Sequence, residues 1–95
     1  MKLEFEWDLS KATANALKHG VTFEEAATIF EAEKILVKDD MKHSLAEKRR
    51  IALSSSNQNR FLVVSYTERA GRIRIISARR ASRKEITQYE QKTGK

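Results

Sequence analysis

Leu3, Phe5 and Trp7 alternate with Glu4 and Glu6, the period-two pattern of a short strand with one face buried. The period then lengthens. Asp8 suits a helix N-cap, Leu9, Ala12, Ala16 and Leu17 make an apolar stripe, and Gly20 supplies a left-handed stop. A second helix begins at Thr22 and Glu25, spaced as a capping box, with Phe23, Ala26, Ala27 and Phe30 at helical intervals. Only His19-Gly20-Val21 separates the two, which predicts a helical hairpin.

From Ile35 the pattern is that of strands: Ile35-Leu36-Val37, a polar loop from Asp39 to about Ala46, then Arg50-Ile51-Ala52-Leu53 ending at the turn-rich run 54–59. Phe61 to Tyr66 is apolar on both faces, as a central strand should be. Arg69-Ala70-Gly71 fits a hairpin loop, and Arg72-Ile73-Arg74-Ile75-Ile76 returns beside it with Arg72 and Arg74 on one face. Alternation fails at Ile75-Ile76, so a bulge or a doubly covered strand is expected there. Ser82 and Glu85 form a further capping box for a helix from Arg83 to about Gln91. The whole reads as a two-layer α+β domain, with an N-terminal strand and helical hairpin packed on one face of a curved antiparallel sheet and a short C-terminal helix. Phe5, Leu17, Phe23, Phe30, Ile51, Leu62, Val64 and Ile75 are the expected core. One domain over 1–95 is expected, with a flexible tail at 91–95.

Charge changes the picture. The net +6 divides into −4 over residues 1–40 (five Lys, nine acids) and +10 over residues 41–95 (fourteen Lys or Arg, four acids). Between Arg69 and Lys84 lie seven basic residues and no acid. Arg dominates that run, and its planar fork matches phosphate oxygens, so a nucleic-acid partner is expected. The absence of cysteine excludes disulfides and thiolate metal sites. The first residues hold two acids and no apolar run, so neither a secretion signal nor a membrane span is expected, and a cytoplasmic location is.

If the partner is RNA, the simplest chemistry is attack of a 2′-hydroxyl on its own phosphate, which needs a base, an acid and fixed positive charge. Arg79 and Arg80, between a strand and a helix N-terminus, could cradle phosphate beside Ser82, although adjacent strand residues face opposite ways. Arg69, Arg72, Arg74 and Lys18 could extend the backbone track, and Trp7 could stack on a base or belong to the core. His43, Glu47 and Tyr66 are the proton-transfer candidates. His19, at a helix C-terminus, is assigned to capping. Asp39, Asp40 and His43 are too few for a metal site, so no metal and no cofactor is expected.

Phe5-Glu6-Trp7-Asp8, Lys11, Asn15, the block Lys18-His19-Gly20-Val21-Thr22-Phe23-Glu24-Glu25-Ala26, and the blocks 66–69 and 72–81 together resemble the BrnT family, in order and spacing, over nearly the whole chain. The resemblance implies a bacterial type II toxin with a RelE-like ribonuclease fold. It also implies inhibition of translation and growth, and neutralisation by a BrnA-type ribbon-helix-helix antitoxin in a complex of two toxins with two antitoxins. That complex would reach promoter DNA only through the antitoxin. Here Leu9 replaces the family's usual proline after Trp-Asp, and the loop 39–44 keeps its histidine without the usual proline. The leading expectation is a metal-independent endoribonuclease. The alternatives are a non-catalytic RNA-binding module, or an antitoxin-docking module acting in autoregulation.

Overall fold

The structure, a computed structural model, describes residues 3–43 and 47–94, with only the backbone of residue 43. The elements are β1 (Phe5–Glu6), α1 (Leu9–His19), α2 (Phe23–Thr28) continued by a 3-10 turn (Ile29–Glu31), β2 (Leu36–Asp39), a 3-10 turn (Met41–His43), β3 (Arg49–Ser55), β4 (Phe61–Arg69), β5 (Arg72–Arg80) and α3 (Arg83–Lys92). The strands form one five-stranded sheet in the order β1-β5-β4-β3-β2. The expected meander is antiparallel, but β1 joins the edge of β5 in parallel, so the sheet is mixed. The helical hairpin between β1 and the meander carries the chain back across the sheet, which permits the parallel pairing.

One face of the sheet is closed by α1 and α2 around Val21, Phe23, Ala26, Ile29, Leu62, Val64, Tyr66 and Ile75. Residue parity along β5 decides what reaches this face, and parity changes midway. Tyr66 pairs with Ile75 but Ser65 pairs with Ser77, leaving Ile76 as the extra residue of a bulge where alternation was expected to fail. Ile73 and Ile75 face the helices before the bulge, and Ala78 after it. The hairpin before it turns through Ala70 and Gly71, both at positive φ (53° and 77°), which matches the twist of the flanking strands.

Beyond Arg74 the outer edge of β5 is not covered by β1. Asn15 of α1 takes the strand's place. Its amide accepts from the Ala78 N–H at 3.0 Å and donates to the Ala78 carbonyl at 2.8 Å and the Val21 carbonyl at 3.0 Å, with the residue itself buried. The inward stripe of α1 is therefore Ala12, Asn15, Ala16 and His19, and Leu9 and Leu17 point out, 78% and 85% exposed. Leu17 is not a core residue. An apolar stripe read without the asparagine turns the helix the wrong way.

Gly20 ends α1 in the left-handed region at φ 69°. Thr22 caps α2 through the Glu25 N–H, but the Glu25 side chain does not complete a capping box. It turns inward instead, where Ser56 donates to it at 2.6 Å and Arg60 pairs with it through Nε at 3.0 Å and through Nη2. Arg60 also donates to the Gly20 carbonyl. That fork holds the carboxyl below the usual glutamate range despite burial, and ties the helical hairpin to the β3–β4 turn.

The last helix sits on the other face, against expectation. Tyr89 of α3 packs edge-on against Phe61 and joins Leu53 and Val63, while its hydroxyl donates to the Lys34 carbonyl at 2.8 Å. Leu53, Val63 and Phe61 are apolar residues on the face turned away from α1 and α2, and they need cover. The expected tail is helical as far as Lys92, and Thr93 bonds back to the Tyr89 carbonyl.

Replacing Asn15 by Leu strands buried backbone groups of Ala78 and Val21, and should cost about 3 kcal/mol. Urea unfolding at unchanged m-value checks this, and hydrogen exchange should show the Ala78 amide losing protection. A loss below about 0.5 kcal/mol would mean that water replaces the side chain.

Candidate active site

Between α3, the C-terminus of α1 and the Met41–His43 turn, the face opposite α1 and α2 stays open as a groove of about 420 Å³. Ile51, Val63 and Ser65 form its floor, Ser77 and Arg79 one wall, and His19, Asp40, Lys42 and Arg49 the rest of its polar lining. Pairing places Ile51 beside Ser65, Ser65 beside Ser77, and Val63 beside Arg79, so these side chains share a face. The bulge chooses between the two adjacent arginines. Were alternation unbroken through Ile76, the parity that puts Arg72 and Arg74 on the open face would bring Arg80 there and turn Arg79 inward. With the bulge, Arg79 enters the groove. Arg80 pairs opposite the core residue Leu62, on the side where its charge reaches Glu25.

Arg79 is held in place. Its Nη1 and Nη2 donate to the two carboxylate oxygens of Glu85 at 2.9 and 2.8 Å, and Nη1 also reaches the Arg80 carbonyl. Glu85 in turn closes the capping box of α3, accepting from the Ser82 N–H at 2.8 Å. The helix N-terminus expected to cradle a phosphate thus already holds a carboxylate of its own chain. The Arg79 fork, helped by Ser82, lowers the Glu85 carboxyl from 4.5 to about 2. Among the described residues, Arg79 keeps its Nε–H and one Nη2 hydrogen for a ligand.

The other expected site residues divide clearly. Tyr66 lies on the opposite face, buried edge-on against Phe30 at 5.1 Å, and burial pushes its hydroxyl further above neutrality. Trp7 packs on Phe23 within the core. Glu47 is gripped by both arms of Arg69 at 2.9 and 2.7 Å, which holds its carboxyl below the usual range and makes it a poor base. Arg72 and Arg74 do face the open side but bind Glu4 and Glu6. Lys18 is exposed at the end of α1 and does not line the groove. His43 begins outside the described side chains, so its role stays an expectation.

His19 is the residue that the sequence reading misplaced. Its ring makes no capping bond among the described residues; it lines the groove beside Arg79 and Ser77. The signal was the four-residue step from Asn15, which stacks both side chains on one helix face. Asp40, Lys42 and Arg49 were missed as well, because only the β2–β3 pairing brings that loop to the groove.

A mixed sheet with helices on both faces and a polar, largely cationic groove defines a small α+β domain with one open, charged face. Residues 7–85 match the family model described as "Ribonuclease toxin, BrnT, of type II toxin-antitoxin system", and the chain belongs to that family. No curated protein matches it. Among solved structures, the Brucella abortus ribonuclease toxin BrnT aligns with a TM-score of 0.63 at 22% identity, over 86% of this chain and all of that one, which shows the shared fold.

The Arg79–Glu85 link has a signature in acid. A carboxyl lowered on folding stabilises fully above its unfolded value near 4.5 and loses that contribution as pH falls towards about 2. Glu85→Ala should therefore cost about 1–2 kcal/mol at neutral pH, mostly the cap and only partly the half-exposed ion pair. The gap to the wild type should close across that acid range in thermal melts; a gap independent of pH would refute the link.

Proposed function

We propose that the groove binds the RNA backbone and cleaves it by attack of a 2′-hydroxyl on the adjacent phosphate, with side chains rather than a metal ion supplying the positive charge. The observation that carries this reading is the orientation of Arg79. Glu85 takes two of its donors and aims the remaining ones, so the guanidinium meets a phosphate without first having to be ordered. Lys42 and Arg49 line the same groove and add to the field. Arg72 and Arg74, neutralised by Glu4 and Glu6, serve as a weaker flanking surface. His43 is retained as a proton-transfer candidate on the sequence alone.

Membership of a type II toxin family implies an antitoxin partner and an RNA substrate. We take the partner to be a BrnA-type ribbon-helix-helix antitoxin assembled as two toxins with two antitoxins, in the cytoplasm, contacting promoter DNA through the antitoxin alone. No helix of the described chain is long and apolar enough to cross a membrane.

Arg79→Ala should lower single-turnover cleavage of an end-labelled RNA in EDTA by more than about tenfold, on the scale of one lost transition-state donor. Arg80→Ala, on the other face, should stay within about twofold of wild type, and matched DNA should remain intact. Equal losses in both variants would show that parity on β5 does not decide the phosphate site. RNA bound but never cut, even on translating ribosomes, would favour the non-catalytic module.

A further inference from the structure

The mechanism proposed above needs a group that removes the 2′-hydroxyl proton, and two of the three candidates named from sequence are poorly placed for it. Tyr66 is on the wrong face, and Glu47 is locked in an ion pair with Arg69. Arginine cannot serve, because it stays protonated. Among the described residues lining the groove, only His19 carries an imidazole, the side chain that most often serves as a general base.

We infer that His19 is the general base of the reaction, a catalytic residue set against the phosphate bound by Arg79. The inference rests on the ribonuclease reading. Its geometry comes from Asn15. The two bonds from Asn15 to Ala78 fix the pitch and rotation of α1 against β5, and His19 lies one turn further along the same helix face. Gly20 then turns the chain away in the left-handed region, leaving the imidazole at the end of the helix beside Ser77 and Arg79. The ring is half-buried and has no hydrogen-bond partner among the described residues.

The charged groups around it are Lys18 on its own helix, Arg79 from β5, Asp40 and Lys42 from the loop after β2, and Arg49 from β3. Arg60 donates to the neighbouring Gly20 carbonyl. Asp40 and Arg49 are already engaged within the protein. In the step itself, the neutral imidazole takes the proton as O2′ bonds to phosphorus. The bond from phosphorus to O5′ breaks, and the leaving oxygen takes its proton from solvent. The products are a 2′,3′-cyclic phosphate and a 5′-hydroxyl, and the imidazolium returns its proton to water.

A base must be neutral to act, so wild-type cleavage should rise with pH through the histidine range, from about pH 5 to 8, and then level off. The test is single-turnover cleavage of labelled RNA in EDTA, free and on translating ribosomes, with thermal melts to confirm folding. His19→Asn should lower the plateau rate by at least about 100-fold, abolish the acidic limb and leave RNA binding within about threefold. His43→Asn should keep the limb. An RNA whose leaving O5′ is replaced by sulfur needs no acid, and should leave the His19→Asn defect in place. Rescue by that substrate would overturn the assignment as base, and so would a limb that survives His19→Asn or disappears in His43→Asn. If wild-type protein leaves all RNA intact, the nuclease reading fails and this inference fails with it. Cleavage by wild type with an unaffected His19→Asn variant would overturn the inference alone.

Discussion

A single buried amide holds the two halves of this molecule in register. The outer edge of β5 is left without a strand partner past Arg74, and an edge with unpaired backbone groups in the interior would be costly. Asn15 satisfies it with a side chain that copies the donor and acceptor of a neighbouring strand. The same residue reaches the Val21 carbonyl, so the turn after α1 and the start of α2 are placed by it too. From there the order is a chain of consequences: α2 presents Glu25, Glu25 binds Arg60, and Arg60 returns to Gly20. Loosening the amide would loosen the groove wall as well as the helical layer.

The charge asymmetry along the chain is partly cancelled in space. Acids of the first segment fold back onto arginines of the second: Glu4 and Glu6 onto Arg72 and Arg74, Glu25 onto Arg60, Asp39 onto Arg50. Most of these pairs are exposed and contribute little stability each. Their effect is to sort the arginines. Those with a full acidic neighbourhood become framework, and those left with spare donors, Arg79 foremost, can serve a ligand. An isoelectric point near 9.8 therefore overstates how many cations an RNA would meet.

Much of this fold was legible in the residues. The caps at Asp8, Thr22 and Ser82, the hairpin at Ala70-Gly71 and the bulge at Ile76 all follow from local chemistry that a short window contains. What escaped was set by pairing at long range. The parallel joining of β1 needs both ends of the chain, the side on which α3 lies depends on which sheet face is left uncovered, and the outward turn of Leu17 depends on an asparagine finding a strand edge 63 residues away. The site suffered in the same way. Arg79 was legible as a phosphate candidate, but its separation from Arg80 and the arrival of His19, Lys42 and Arg49 in one groove are properties of strand parity and loop placement, which composition does not carry.

The bulge has a consequence for how this protein can vary through evolution. Counting along β5 from the hairpin, the extra residue acts as a phase shift in a two-stroke pattern: everything downstream exchanges front for back. The same residues in a strand without the bulge would leave the arginine pair intact in any sequence comparison, yet swap which member faces the groove. Whether this short stretch bulges is therefore as informative as identity. Two relatives can share the same two adjacent arginines and still use different ones.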